Sequence, residues 1–99
     1  MKPIGMHNYF IYIITNPSKT VLYTGVTNNL KVRLYQHHAN RGLKKTFAGK
    51  YYCYKLLYHE LFSDIKLAIY REKEIKDLSR QKKLELIKTM NPKLKFIIL

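Results

Sequence analysis

Tyr9 to Thr15 (YFIYIIT) is a run of β-branched and aromatic residues, and a second such run follows it after one turn. No other feature of this sequence restricts the fold so tightly. Residues of this kind fit a pleated surface, and seven in succession make a buried strand. Asn16-Pro17-Ser18-Lys19 is a turn cluster in which the proline ring fixes φ. Thr20 to Val26 (TVLYTGV) is the return strand, so the pair reads as a β-hairpin. With those four residues as the loop, Thr15 faces Thr20 and Tyr12 lies directly opposite Tyr23. Residues paired in this way hold their Cβ atoms about 5 Å apart.

Beyond the hairpin the period changes. Thr27-Asn28-Asn29 supplies cap residues for a helix from about Asn29 to Ala39, with Leu30, Leu34 and His37 or His38 inward. Arg33 and His37, four apart, project from one face of it, roughly 6 Å between Cβ atoms. Asn40 to Lys50 carries two glycines and four basic residues and reads as a mobile loop. Tyr54 to Phe62 (YKLLYHELF) is a third strand, and the tyrosines around Cys53 are expected in the packed interior. Ser63-Asp64 caps a second helix running to about Leu78, with Ile65, Ala68, Ile69, Glu72 and Ile75 or Lys76 inward. Ser79 caps a third, with Leu84, Ile87 and Met90 inward, and Asn91-Pro92 stops it. The apolar end Phe96 to Leu99 must dock or add an edge strand. Strands and helices in this order make an α+β chain, and 99 residues fit one domain, with its core at about residues 8–92.

Charge narrows the function. Nineteen Lys and Arg against six Asp and Glu give a net charge of +13. The excess is segregated: residues 1–59 hold nine basic groups and no acid, and residues 60–99 hold ten basic and six acidic groups. A uniformly positive side is expected, suited to a polyanion such as nucleic acid, with solubility as the plainer explanation. Nine tyrosines and four phenylalanines argue against disorder. Cys53 is the only cysteine, so no disulfide framework exists, and apolar runs fall far short of a membrane span. The expected location is the cytoplasm, without membrane attachment.

Few residues can carry chemistry. Glu72 falls on an apolar helix stripe, where an ionised carboxylate is costly unless it is paired or binds a metal. A salt bridge to Arg33 or a nearby lysine and a magnesium site account for it equally well; Mg²⁺ commonly uses one or two carboxylates with phosphate and water. Arg33 and His37 make a phosphate clamp with a proton acceptor, or simply a helix face. Tyr12 and Tyr23 are paired phenols or, as lone strand tyrosines usually are, packing residues. Glu74-Ile75-Lys76 matches the Glu-x-Lys of another nuclease class, but lies in a helical pattern where that motif does not occur. Arg80, Lys82, Lys83, Lys88, Lys93 and Lys95 read first as a solvated surface set, with auxiliary phosphate contacts as the alternative.

Taken together these residues resemble the GIY-YIG nuclease superfamily, and more narrowly its small stand-alone branch related to the N-terminal domain of an excision-repair nuclease subunit. Phe10-Ile11-Tyr12 and Tyr23-Thr24-Gly25 stand for the two name motifs, eleven residues from tyrosine to tyrosine. Leu30-Lys31-Val32-Arg33 with His37, then Ala68 to Lys76 with Glu72, and finally Met90-Asn91-Pro92 follow in the family's order. Phe10 replaces the motif's glycine and Thr24 its isoleucine; neither position is expected to react. The resemblance implies a three-stranded antiparallel sheet flanked by three or more helices, and a metal-dependent DNA endonuclease acting in repair or recombination. It implies Tyr12, Tyr23, Arg33, His37 and Glu72 as the catalytic group, with Glu72 holding one Mg²⁺ or Mn²⁺ ion. Lys31, Lys44, Lys45 and Asn91 are the accompanying substrate contacts. DNA is the expected partner, with a partner protein or a homodimer for target selection. Two other readings compete. One is a non-catalytic nucleic-acid-binding module of the same fold. The other is an RNA-binding protein using its tyrosines as stacking platforms, against which stands the expectation that those tyrosines are mostly in the core.

Charge-driven binding must respond to salt. DNA affinity, measured by fluorescence anisotropy, is expected to fall about tenfold or more between 50 and 200 mM salt. An affinity that does not move would remove the basic surface from the account.

Overall fold

A computed structural model describes residues 8–99. Three strands, β1 (Tyr9–Thr15), β2 (Leu22–Thr27) and β3 (Lys55–Phe62), form one antiparallel sheet in the order β2-β1-β3. Four helices complete the described chain: α1 (Leu30–Ala39), α2 (Phe47–Lys50), α3 (Ile65–Lys76) and α4 (Arg80–Met90). None is long and apolar enough to cross a membrane.

The central strand is buried on both faces because helices cover both. Ile11 and Ile13 point into a core with Ala68 and Ile75 of α3 and Ile87 of α4. Tyr12 and Ile14 point the other way, toward Leu30 of α1 and Ala48 of α2. Each helix starts at a side-chain cap. Asn29, Thr46, Asp64 and Ser79 accept hydrogen bonds from backbone N–H groups of the first turns of α1, α2, α3 and α4, donors that no helical carbonyl can satisfy.

The hairpin register differs from the expected one. Thr15 pairs with Leu22, and Tyr12 lies opposite Gly25 rather than Tyr23. The loop is longer than four residues because Asn16 organises it. Its Oδ1 accepts from the N–H groups of Thr20 and Val21, its Nδ2 donates to the Ser18 and Thr20 hydroxyls, and Lys19 turns the chain at φ 59°. Ladder pairing therefore resumes two residues later. A two-residue slip preserves which face each side chain takes, so Tyr12 and Tyr23 remain on one face as diagonal neighbours, ring centroids 6.4 Å apart.

Two further expectations are corrected, and an alternative left open is decided. The Asn40–Lys50 segment contains α2, pinned where Gly42 N–H donates to Gly49 O and Cys53 N–H to Ala48 O. Ile65, Ile69 and Met90 are exposed, which leaves Ala68 and Ile75 as the buried stripe of α3. Of the two outcomes open to the apolar C-terminal segment, it docks without adding a strand: Ile97 N–H donates to Leu56 O on β3, and Phe96 and Ile97 pack against the two cores.

Gly25 is the position where the new register has a direct steric consequence. A Cβ there would lie 2.4 Å from Cζ and Oη of Tyr12, a fully buried ring with little room to withdraw. Gly25→Ala is expected to cost about 1–3 kcal/mol in chemical denaturation and to displace the phenol. An unaltered stability would show that the ring does not cross β2 there.

Candidate active site

The Tyr12 ring passes over Gly25 and its hydroxyl lies 2.8 Å from Nε2 of His37 on α1. Tyr23 closes the group, its centroid 5.6 Å from the His37 ring, which itself lies 5.7 Å from the Tyr12 ring. Arg33 stands one turn before His37 on α1 and lines, with Tyr23 and His37, an open depression of about 220 Å³.

Burial sets the protonation states. Removal from water pushes the Tyr12 phenol up to about 12, helped by Tyr23 and, less, by Glu72, and opposed by Arg33. The same desolvation, together with the Arg33 charge, holds His37 down at about 4. At neutral pH the phenol therefore keeps its proton and the imidazole is uncharged. The tautomer with its hydrogen on Nδ1 leaves Nε2 free to accept from Tyr12 Oη across the 2.8 Å contact.

Glu72 comes from the opposite layer. Arg71, one residue earlier on α3, donates from Nε and an Nη to the Glu60 carboxylate of β3 at 2.9 Å each. Tyr58 Oη also donates to Glu60, and Arg71 reaches Glu74 on its own helix. This bidentate tie fixes the rotation of α3 on the sheet. The Glu72 side chain is 16% exposed, and its one ion pair among the described residues is with Lys76 at 3.4 Å. Such an i,i+4 pair with an exposed lysine is weak and engages one carboxylate oxygen. Of the two explanations open from sequence, the lysine bridge is thus present, but it leaves the other oxygen available. Among the described residues no three His, Cys, Asp or Glu side chains gather to hold a metal. A single carboxylate fits a hard cation that takes its remaining ligands from phosphate and water.

The other expected contacts scatter. Lys31 lines a separate cavity of about 360 Å³ with Phe10, Asn28 and His59. Lys44 and Lys45 are exposed in the turn before α2, near Thr46 at the rim of the site. Asn91 is committed to the backbone. Its Nδ2 donates to Leu57 O and Lys95 O, and its Oδ1 accepts from Lys95 N–H. That makes it a tie between α4, β3 and the C-terminal segment. Sequence reasoning missed Phe47, which stacks on Tyr23 at 6.2 Å and 24°. Thr46 before Phe47-Ala48-Gly49 was the available signal, a cap residue opening a helical turn. The tyrosines are also less buried than expected: Tyr35, Tyr51, Tyr52 and Tyr70 are exposed, and Tyr54 packs edge-on to His38.

Comparison with known proteins agrees with this fold. The family model for the GIY-YIG catalytic domain matches residues 8–85. The chain belongs to the GIY-YIG family. It is 39% identical over 82 residues to a UPF0213 protein of Staphylococcus haemolyticus, covering 83% of this chain and 96% of that one. A UPF0213 protein of Staphylococcus aureus is 37% identical over 83 residues, covering 84% and 98%. The solution NMR structure of a UPF0213 protein from Bacillus halodurans superposes with a TM-score of 0.55 at 29% identity, covering 87% of this chain and 88% of that one. GIY-YIG membership implies a function of the nuclease type, and nucleases of this family generally use a divalent metal.

The perturbed pair makes stability depend on pH with a definite sign. His37 takes up a proton more readily unfolded, near 6.5, than folded, near 4. Its contribution is complete above about pH 6.5 and is lost as pH falls toward 4. Urea midpoints of the native protein should fall more steeply across that window than those of His37→Gln. Parallel profiles would mean that His37 titrates normally.

Proposed function

We propose that the protein is a metal-dependent DNA endonuclease that hydrolyses a phosphodiester at the Tyr12–His37 pair, in repair or recombination. The observation that supports this best is the meeting of a protonated phenol, a neutral imidazole and an arginine, with the Glu72 carboxylate near enough to add to the rise of the Tyr12 phenol. The scissile phosphate occupies the depression lined by Tyr23 and Arg33, where the guanidinium offsets charge that grows on the phosphate oxygens.

A phenol that holds its proton up to about 12 is a poor base by itself. Its partnership with His37 changes this. As the attacking water forms its bond to phosphorus, its proton passes to Tyr12 Oη while the Tyr12 proton passes to His37 Nε2. Tyr12 is then again a neutral phenol and His37 an imidazolium. The P–O3′ bond breaks, and the 3′ oxygen leaves and takes a proton from solvent. His37 returns its proton to solvent easily because its pKa is low. Glu72 is the residue that would hold Mg²⁺ or Mn²⁺, which supplies positive charge to the phosphate oxygens. The non-catalytic reading explains the basic composition but gives no reason for a buried Tyr–His hydrogen bond.

With supercoiled plasmid and labelled oligonucleotides, cleavage should require Mg²⁺ or Mn²⁺ and stop in EDTA. Glu72→Gln should abolish it while DNA affinity stays within about twofold. Tyr12→Phe should lower kcat by about 10²–10⁴ with little effect on KM. Full activity in Glu72→Gln would exclude this site as the source of cleavage.

A further inference from the structure

Phe47 is 51% exposed although it adjoins the catalytic group. One side of its ring stacks on Tyr23, and Tyr51 packs at 4.8 Å, with Lys50 Nζ 5.3 Å over the Tyr51 ring. The ring also separates two depressions. Thr46 and Ala48, its chain neighbours, line the one that contains Arg33 and His37. Phe47 itself lines a second, of about 240 Å³, with Thr20, Val21, Leu22, Arg80 and Lys83. Among the described residues no aspartate or glutamate lines either. The second is an apolar floor beside two cations one turn apart on α4, Arg80, which also donates to Lys19 O, and Lys83, the composition expected where a sugar and a phosphate lie together. An aromatic ring between two cationic hollows matches the alternation of base and phosphate along a nucleic acid strand. In a duplex the bases are stacked inside and cannot reach such a ring.

We infer that Phe47, backed by Tyr23 and Tyr51, stacks on an unpaired nucleobase beside the phosphate held at Arg33, and that Arg80 and Lys83 hold the next phosphate. The substrate is thus a single strand or a frayed end. Its placement of the cleaved phosphate rests on the endonuclease reading. Arg80 and Lys83 thereby leave the solvated set to which the sequence first assigns them.

Binding is measured separately from cleavage, in a Glu72→Gln background, by anisotropy of a labelled single-stranded 12-mer, the same strand with abasic sites, and the duplex. Phe47→Ala should weaken single-strand binding about tenfold, leave abasic binding unchanged, and abolish quenching of a 2-aminopurine placed in the strand. Phe47→Tyr should restore both. Arg80→Ala with Lys83→Ala should weaken abasic and normal strands alike and reduce the salt slope by about one to two. Equal losses for Phe47→Ala on normal and abasic strands, no loss on either, or tighter binding of the duplex would overturn the inference. Absence of cleavage by the wild-type protein would remove the endonuclease reading and leave these binding results intact.

Discussion

The passage of the Tyr12 ring over Gly25 is the contact on which the rest of the site depends. A side chain at residue 25 would occupy the space of the phenol. Its absence lets a residue of the central strand, fully shielded along most of its length, deliver a hydroxyl to His37. The surrounding elements serve that delivery. The Asn16-centred loop sets the register that places Gly25 opposite Tyr12, and the Asn29 cap sets where α1 begins and so where Arg33 and His37 point. On the other layer, the Glu60–Arg71 tie holds the helix that carries Glu72.

In the proposed reaction, this arrangement lets a residue as weakly acidic as tyrosine take part in proton transfer near neutral pH. Burial raises the phenol and lowers the imidazole, so the proton between them has one stable place at rest, on Tyr12 oxygen. Two shifts in opposite directions, with one dominant cause, leave the hydrogen bond uncharged and inexpensive to bury. Arg33 contributes to both, easing ionisation of the phenol and discouraging that of the imidazole.

Much of this was legible in the residues, and the failures have definite causes. The strands, the three longer helices and their caps followed from β-branched runs and from Asn29, Asp64 and Ser79. The register failed because a loop closed by one asparagine side chain looks, in sequence, like a shorter proline turn. α2 failed because a four-residue helix carries no periodicity. The grouping of Tyr12, Tyr23, Arg33 and His37 was readable from spacing and resemblance. Phe47 was not, because its place beside Tyr23 is set by chain reversals at Gly42 and Tyr52. Asn91 shows the opposite error: a polar residue in a closing motif reads as a contact, yet its amide is spent on Leu57 and Lys95.

The most direct measurement is the ¹⁵N resonance pair of the His37 ring in labelled protein, followed from pH 8 to pH 4. Nε2 should keep the shift of an unprotonated acceptor, with the hydrogen on Nδ1, down to near pH 4, and Tyr12→Phe should perturb it. Ordinary titration near pH 6.5, or an Nε2 that carries the hydrogen at neutral pH, would contradict the proton arrangement on which the proposed mechanism rests.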